Sequence, residues 1–345
     1  MKAVVLSGPQ QVAVRDFPTP EVPAGGMLVR VAACGICGSD LRSYRFGLRV
    51  ELPWQIPGHE AAGTVMAVGE GVTGWAAGDR IAMAADVSCY ECEYCRRGFP
   101  NLCQSHRILG VHIPGGMAEV MALGPEMLAG GILHKIPEGV PFDEASMAEP
   151  ASSVLAAQEE AGIKAGETVL IIGAGPMGCL HAEAAVAKGA GVLLLDRSAI
   201  RLEVAAQIVP GARLIDSTSE EPIPTVRKET GGFGADVAIV AAPTPEAVEL
   251  GIASVAKRGR VVLFGGLPKD RPHVSVDINL LHYSEISLIG SFSYRPRHHA
   301  MALEAIAKGQ IKASHYITHR FPLDQVEEGF KLLAAGQALK VVILP

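Results

Sequence analysis

Four cysteines crowd into fifteen residues, in the run Cys89-x-x-Cys92-x-x-Cys95-x7-Cys103. Thiolates this close suit one tetrahedral ion with metal–sulfur bonds of about 2.3 Å, and a shell of four leaves no open position for chemistry. The run reads as a structural zinc lobe, with a disulfide pair or an iron–sulfur cluster as competing readings. A second donor set is dispersed: Cys37 in 34-CGICGSD-40 and His59-Glu60 in 57-PGHE-60. Cys34 and Cys37 also form a C-x-x-C, but nothing thioredoxin-like surrounds it. Mixed thiolate and imidazole donors with an exchangeable position suit an ion that acts on a substrate oxygen.

A third constellation is Gly173-Ala174-Gly175-Pro176-Met177-Gly178, which fits G-x-G-x-x-G. An apolar β-branched run precedes it and an Ala-rich helical stretch follows. Gly173 permits the tight turn, Gly175 lets a pyrophosphate approach the backbone, and Gly178 lets helix and strand pack closely. Asp196 ends the next apolar run, where an acid would hold the adenosine ribose hydroxyls. An acid there favours NAD over NADP, while Arg197 keeps the phosphorylated cofactor as the secondary reading; Arg201 is a further candidate cofactor contact.

Two kinds of scaffold must position these groups. Residues 1–150 carry short strand-like runs (3-AVVL-6, 28-LVRVA-32, 63-GTVMAVG-69, 80-RIAMAA-85) separated by Gly and Pro turns, which predicts a mostly-β, barrel-like domain. From 151 to 290 apolar strands alternate with helical stretches: 168-TVLIIG-173, 191-GVLLLD-196, 212-ARLID-216, 236-DVAIVAA-242, 260-RVVLFG-265 and 286-ISLIG-290. Six buried strands with crossover helices predict a doubly wound parallel sheet, so the fold class is α/β. Residues 291–345 read as two helices and a final strand, 339-LKVVIL-344.

Composition narrows the function classes. The 345 residues hold 30 Lys+Arg against 36 Asp+Glu, a net charge of −6, and no basic tract, so nucleic acid is not an expected partner. No apolar run approaches the roughly 18 residues of a membrane span, and Gly8-Pro9 interrupts the N-terminus before a signal-peptide core develops. A cytoplasmic globular protein is the expectation.

Taken together, 35-GICGSD-40, 58-GHE-60, the four-thiolate lobe, 148-AEP-150 and 173-GAGPMG-178 occur in the order found in zinc-containing medium-chain alcohol and polyol dehydrogenases. The chain resembles that family over essentially its whole length, and 290-GSFSY-294 and 318-THRFPL-323 look like the sorbitol dehydrogenase branch. The resemblance implies a GroES-like mostly-β catalytic domain (1–150 and 291–345) and a Rossmann domain (151–290), with the cofactor reaching the metal in a cleft between them. It implies two zinc ions per chain. Cys37, His59 and Glu149 would ligate the catalytic one, and Glu60 would exchange with water beside it. Asp40 would accept the other ring N–H of His59, and Ser39 would pass the substrate proton outward. Where relatives carry a relay His this chain has Arg42, which stays protonated and cannot shuttle a proton.

The implied reaction is oxidation of a secondary alcohol of a polyol or sugar derivative to a ketone, with hydride transfer to NAD. Arg42, Tyr44, Tyr294 and Arg295, with Arg45, Arg49 and Trp54 nearby, are the candidate substrate contacts, and Ser293 replaces an Arg common in that branch. These arginines also allow an anionic substrate carrying phosphate, sulfonate or carboxylate. By the same resemblance, 286-ISLIG-290 would be an edge at which subunits pair into a dimer or tetramer. Competing readings are a zinc-free reductase of the same superfamily and a non-catalytic nucleotide-binding member.

Overall fold

The computed structural model describes all 345 residues, and contacts divide the chain into two units, Met1–Ser152 with Arg295–Pro345, and Ser153–Tyr294. The first division falls inside the helix Ala148–Glu160. The sequence reading had missed that helix.

The first unit is built on an eight-stranded sheet. Its main path runs Ile317–Pro322, Lys340–Leu344, Met27–Gly35, Glu60–Val68, Arg80–Val87, Arg107–Ile108. Val120–Leu123 adds to Met27–Gly35 and Gly131–Lys135 to Arg80–Val87, while Lys2–Gly8 and Gln11–Asp16 form a separate hairpin. The C-terminal tail thus returns to complete the first unit: Lys340–Leu344 pairs antiparallel with Met27–Gly35 through Val342 opposite Gly35. That pairing brings Lys340 into a site whose other members lie near residues 35–60. Val29, Met83, Leu109, Met117, Phe330 and Ile343 fill the core beneath.

The second unit is a six-stranded sheet, all parallel, in the order Arg213–Asp216, Gly191–Asp196, Thr168–Ile172, Ala235–Val240, Val255–Leu263, Ser287–Gly290. This strand order, 3-2-1-4-5-6, is that of a dinucleotide-binding sheet, whose ligand lies beyond the carboxyl ends of the strands at the point where the order reverses. Leu170, Leu193, Leu195, Ile215, Ala238 and Val261 are buried in its core, which explains why the strands read as continuous apolar runs.

Candidate active site

Cys37 sits at the N-cap of the helix Gly38–Phe46, and its backbone N–H donates to Asp40 Oδ2 at 3.0 Å. That bond fixes the first helical turn and aims the thiol. His59 and Glu60 stand at the start of the Glu60–Val68 strand, which pairs with Met27–Gly35 so that Glu60 faces Gly35. Ligand atoms of Cys37, His59 and Glu60 all lie within 4.8 Å of one another, with His59 and Glu60 buried. Burial disfavours a charged imidazole there, but the charges of Asp40 and Cys37 hold His59 well above the usual histidine range. Mixed sulfur, nitrogen and oxygen donors at this spacing could hold one zinc ion.

Glu149 is buried in the first turn of Ala148–Glu160, and its charge is felt by His59. Asp40 pairs with His59 through Oδ1, 3.8 Å from Nδ1, while its Oδ2 accepts the Cys37 backbone N–H. Burial raises the Asp40 carboxyl above the usual range, with His59 opposing. Ser39 is half-buried in the same helical turn.

Sequence reasoning missed Lys340. Its ammonium grips Glu60 with Oε1 at 2.6 Å and Oε2 at 2.7 Å and reaches Ile36 O at 3.4 Å, and the residue is only 7% exposed. Burial alone would lower its pKa, yet the charges of Glu60, Cys37 and Glu149 hold it above the usual lysine value. Gly35 shapes this pocket, since a Cβ there would come within 2.0 Å of Glu60 Oε2. A lone lysine 280 residues from its partner gives no local signal; only strand pairing at the chain end reveals it.

The four lobe cysteines form a second group within 4.8 Å, and all are free thiols. Cys103 Sγ is 3.4 Å and Cys95 Sγ 4.0 Å from Cys89 Sγ. A tetrahedron with 2.3 Å bonds has edges of about 3.8 Å, so these separations fit a single ion. Backbone N–H groups point at the sulfurs: Cys89 N–H donates to Cys103 and Cys92 N–H to Cys89. Similar donors from Gln104 and Cys95 bring the Cys92 thiol down to about 6. The Cys89 thiol is lowered by backbone donors as well, whereas burial pushes the Cys95 thiol up to about 12.

In the second unit, Thr168–Ile172 leads into the helix Pro176–Ala187 with Gly175 at the N-cap and Pro176 at the first position, where its missing N–H costs nothing. A Cβ on Gly178 would fall 1.7 Å from Gly173 O, whereas one on Gly175 would meet nothing within 4 Å. Gly178 therefore serves packing and Gly175 leaves room for a ligand. Gly175, Pro176 and Met177 remain partly exposed. Asp196 is 6% exposed; its Oδ2 accepts the Ala174 N–H at 2.8 Å and its Oδ1 the Ser198 N–H at 2.9 Å. Each oxygen keeps acceptor capacity for a ribose hydroxyl. Arg201 lies 3.7 Å from Asp196 Oδ2 with its side chain mostly exposed, and Arg197 is exposed.

The candidate substrate contacts scatter. Arg42 and Arg49 are exposed, and Arg45 donates to Ala334 O at 2.6 Å. Tyr44 is buried in the core and stacks on Phe330 with ring centroids 4.8 Å apart. The alternation of polar and apolar residues along 39–46 had hidden which face of that helix turns inward. Trp54 packs on Phe17, Tyr294 is buried, and the Arg295 guanidinium lies 5.0 Å over the Phe99 ring beside the thiolate lobe.

Comparison with known proteins agrees with this architecture. Residues 23–138 match the family described as alcohol dehydrogenase GroES-like domain, and residues 176–308 match the zinc-binding dehydrogenase family. Sorbitol dehydrogenase of Bacillus subtilis (strain 168) is 30% identical over 353 residues, covering 100% of this chain and 97% of the relative. Erythritol/L-threitol dehydrogenase of Mycolicibacterium smegmatis is 33% identical over 363 residues, covering 100% and 98%. A zinc-binding dehydrogenase of Sinorhizobium meliloti 1021, solved bound to NADP, superposes with a TM-score of 0.91 at 31% identity, covering 100% of this chain and 99% of that one. The chain belongs to the zinc-containing medium-chain dehydrogenase family of alcohol and polyol dehydrogenases.

Proposed function

We propose that the protein oxidises a secondary alcohol of a polyol or sugar derivative to a ketone, passing the hydride to NAD. The observation that carries this reading is the convergence of Cys37, His59 and Glu60, in a chain that also holds a glycine corner closed by Asp196. Cys37 and His59 would hold the catalytic zinc, with Glu60, Glu149 or water completing its shell. Bound there, zinc supplies Lewis acidity that makes a substrate hydroxyl more acidic and polarises the product carbonyl. The oxidised nicotinamide supplies the hydride acceptor.

The chain's own residues do the rest. Ser39, in the first turn of the helix whose N-cap is Cys37, takes the hydroxyl proton and hands it outward. With Arg42 on the exposed face, that path ends in solvent rather than on an imidazole. The N–H groups at the start of Pro176–Ala187 hold the cofactor pyrophosphate, and Asp196 receives the adenosine ribose hydroxyls. The four-thiolate lobe binds a second, structural zinc.

Asp196 supports NAD, although the Sinorhizobium relative binds NADP and Arg197 and Arg201 lie close by. Exposed Arg42 and Arg49 support a second reading, an anionic sugar or polyol. An exposed parallel edge supports self-association: Leu288 on Ser287–Gly290 and Phe292 beyond it are 41% and 61% exposed, and Ile278 and Tyr283 on the neighbouring helix 68% and 76%.

The test is reduction of NAD, then NADP, over a panel of neutral polyols, sugar acids and sugar phosphates. Turnover of a neutral polyol with NAD supports the proposal. Turnover confined to anionic members and inhibited by inorganic phosphate supports the second reading. No turnover of any alcohol by zinc-replete protein rejects both.

A further inference from the structure

Glu60 belongs to two clusters at once. Its carboxylate lies within 4.8 Å of the Cys37 and His59 donor atoms, and both its oxygens are hydrogen-bonded to Lys340. The lysine is itself anchored by Ile36 O, one residue from Cys37 in the chain, and it is buried. The strand pairing that delivers it is tight: Ile36 N–H donates to Val341 O at 2.9 Å, so residues 340–341 move with residues 35–36. Gly35 leaves the space the carboxylate occupies, because any Cβ there would collide with Oε2. Gly35, Ile36 O and Lys340 thus make a seat for the Glu60 carboxylate.

Charge explains why a seat is needed. The pocket gathers Cys37, Glu60, Glu149 and Asp40, and a fully buried carboxylate without a partner is costly. A divalent ion beside Cys37 and His59 is the strongest competitor for that carboxylate, and a carboxylate permanently on the ion would fill the position a substrate oxygen must take. A cation on the far side of Glu60 balances that pull.

We propose that Lys340 is a positioning residue that seats Glu60 off the metal, keeping a coordination position of the Cys37–His59 centre exchangeable. The proposal rests on the metal assignment above. It implies that the last strand, Lys340–Leu344, contributes to the active centre as well as to the sheet.

The test uses full-length, zinc-replete Lys340→Met, Glu60→Gln and the double variant. Zinc release to a chromogenic chelator is followed, the catalytic phase being the one absent from His59→Ala. Lys340→Met should release catalytic zinc at least about tenfold more slowly and lose at least about tenfold in kcat, because Glu60 becomes a permanent ligand. Adding Glu60→Gln should return the release rate to within about threefold of wild type, and Lys340→Arg should preserve both. Lys340→Gln serves where Lys340→Met does not fold. An unchanged or faster release rate in Lys340→Met, or slow release that persists in the double variant, overturns the role of Lys340. Wild-type protein that takes up a single zinc overturns the metal assignment itself.

Discussion

Lowering the pH from about 7.5 to about 5 should cost the mostly-β unit about 2 kcal/mol through one side chain, His299. His299, in the helix Pro296–Ala307, is fully buried, and its Nδ1 meets Nδ1 of His134, on the strand Gly131–Lys135, at 2.9 Å. One neutral ring donates and the other accepts, and His299 Nε2 has no partner. A proton added to His299 therefore creates a buried charge facing another imidazole. Burial first, and His134 second, push its pKa down to about 3, against 6.5 for an ordinary histidine. The folded protein then binds fewer protons than the unfolded chain between about pH 3 and about pH 6.5, so stability is intact above that window and falls as pH drops through it. At about pH 5 the unfolded histidine is protonated about thirtyfold over neutral, which gives the 2 kcal/mol, or roughly 4–8 °C in Tm. Denaturant melts of wild type and His299→Leu at both pH values, read by a probe in this unit, supply the assay. The variant should lose about 2 kcal/mol of the pH dependence whatever its stability at neutral pH. Identical pH slopes in the two proteins would refute the reasoning.

Other expectations follow from the same geometry. Cys92→Ser removes a thiolate from a lobe whose separations fit one ion; metal analysis should show about one zinc fewer per chain, and thermal melting a lower Tm. Gly178→Ala places a methyl against Gly173 O, so NAD affinity measured by calorimetry should fall at least about tenfold as the corner opens. Asp196→Ala frees the Ala174 and Ser198 N–H groups as well as the ribose. It should raise the NAD dissociation constant, narrow the preference over NADP, and cost about 1–3 kcal/mol in urea melts.

The legible parts of this molecule are those whose chemistry is local. Cysteines three residues apart reveal their lobe, and a glycine corner reveals its strand and helix, because the spacing itself is the constraint. The parallel strands were equally plain, since burial on both faces writes uninterrupted apolar runs such as 168-TVLIIG-173. What escaped depends on contacts distant in the chain. Lys340 meets Glu60 only through pairing of the last strand with Met27–Gly35, and His134 meets His299 across 165 residues. The helix Gly38–Phe46 carries little apolar periodicity, so the packing of Tyr44 on Phe330, 286 residues away, is not visible in its own segment.

The most direct test of the account is anomalous diffraction at the zinc absorption edge from crystals of wild type and His59→Ala, with NAD reduction measured on the same preparations. The account predicts two peaks per wild-type chain, one among Cys89, Cys92, Cys95 and Cys103 and one between Cys37 and His59. Only the second peak should vanish in His59→Ala, together with turnover. Full activity in wild-type crystals that show a peak at the lobe alone would contradict it.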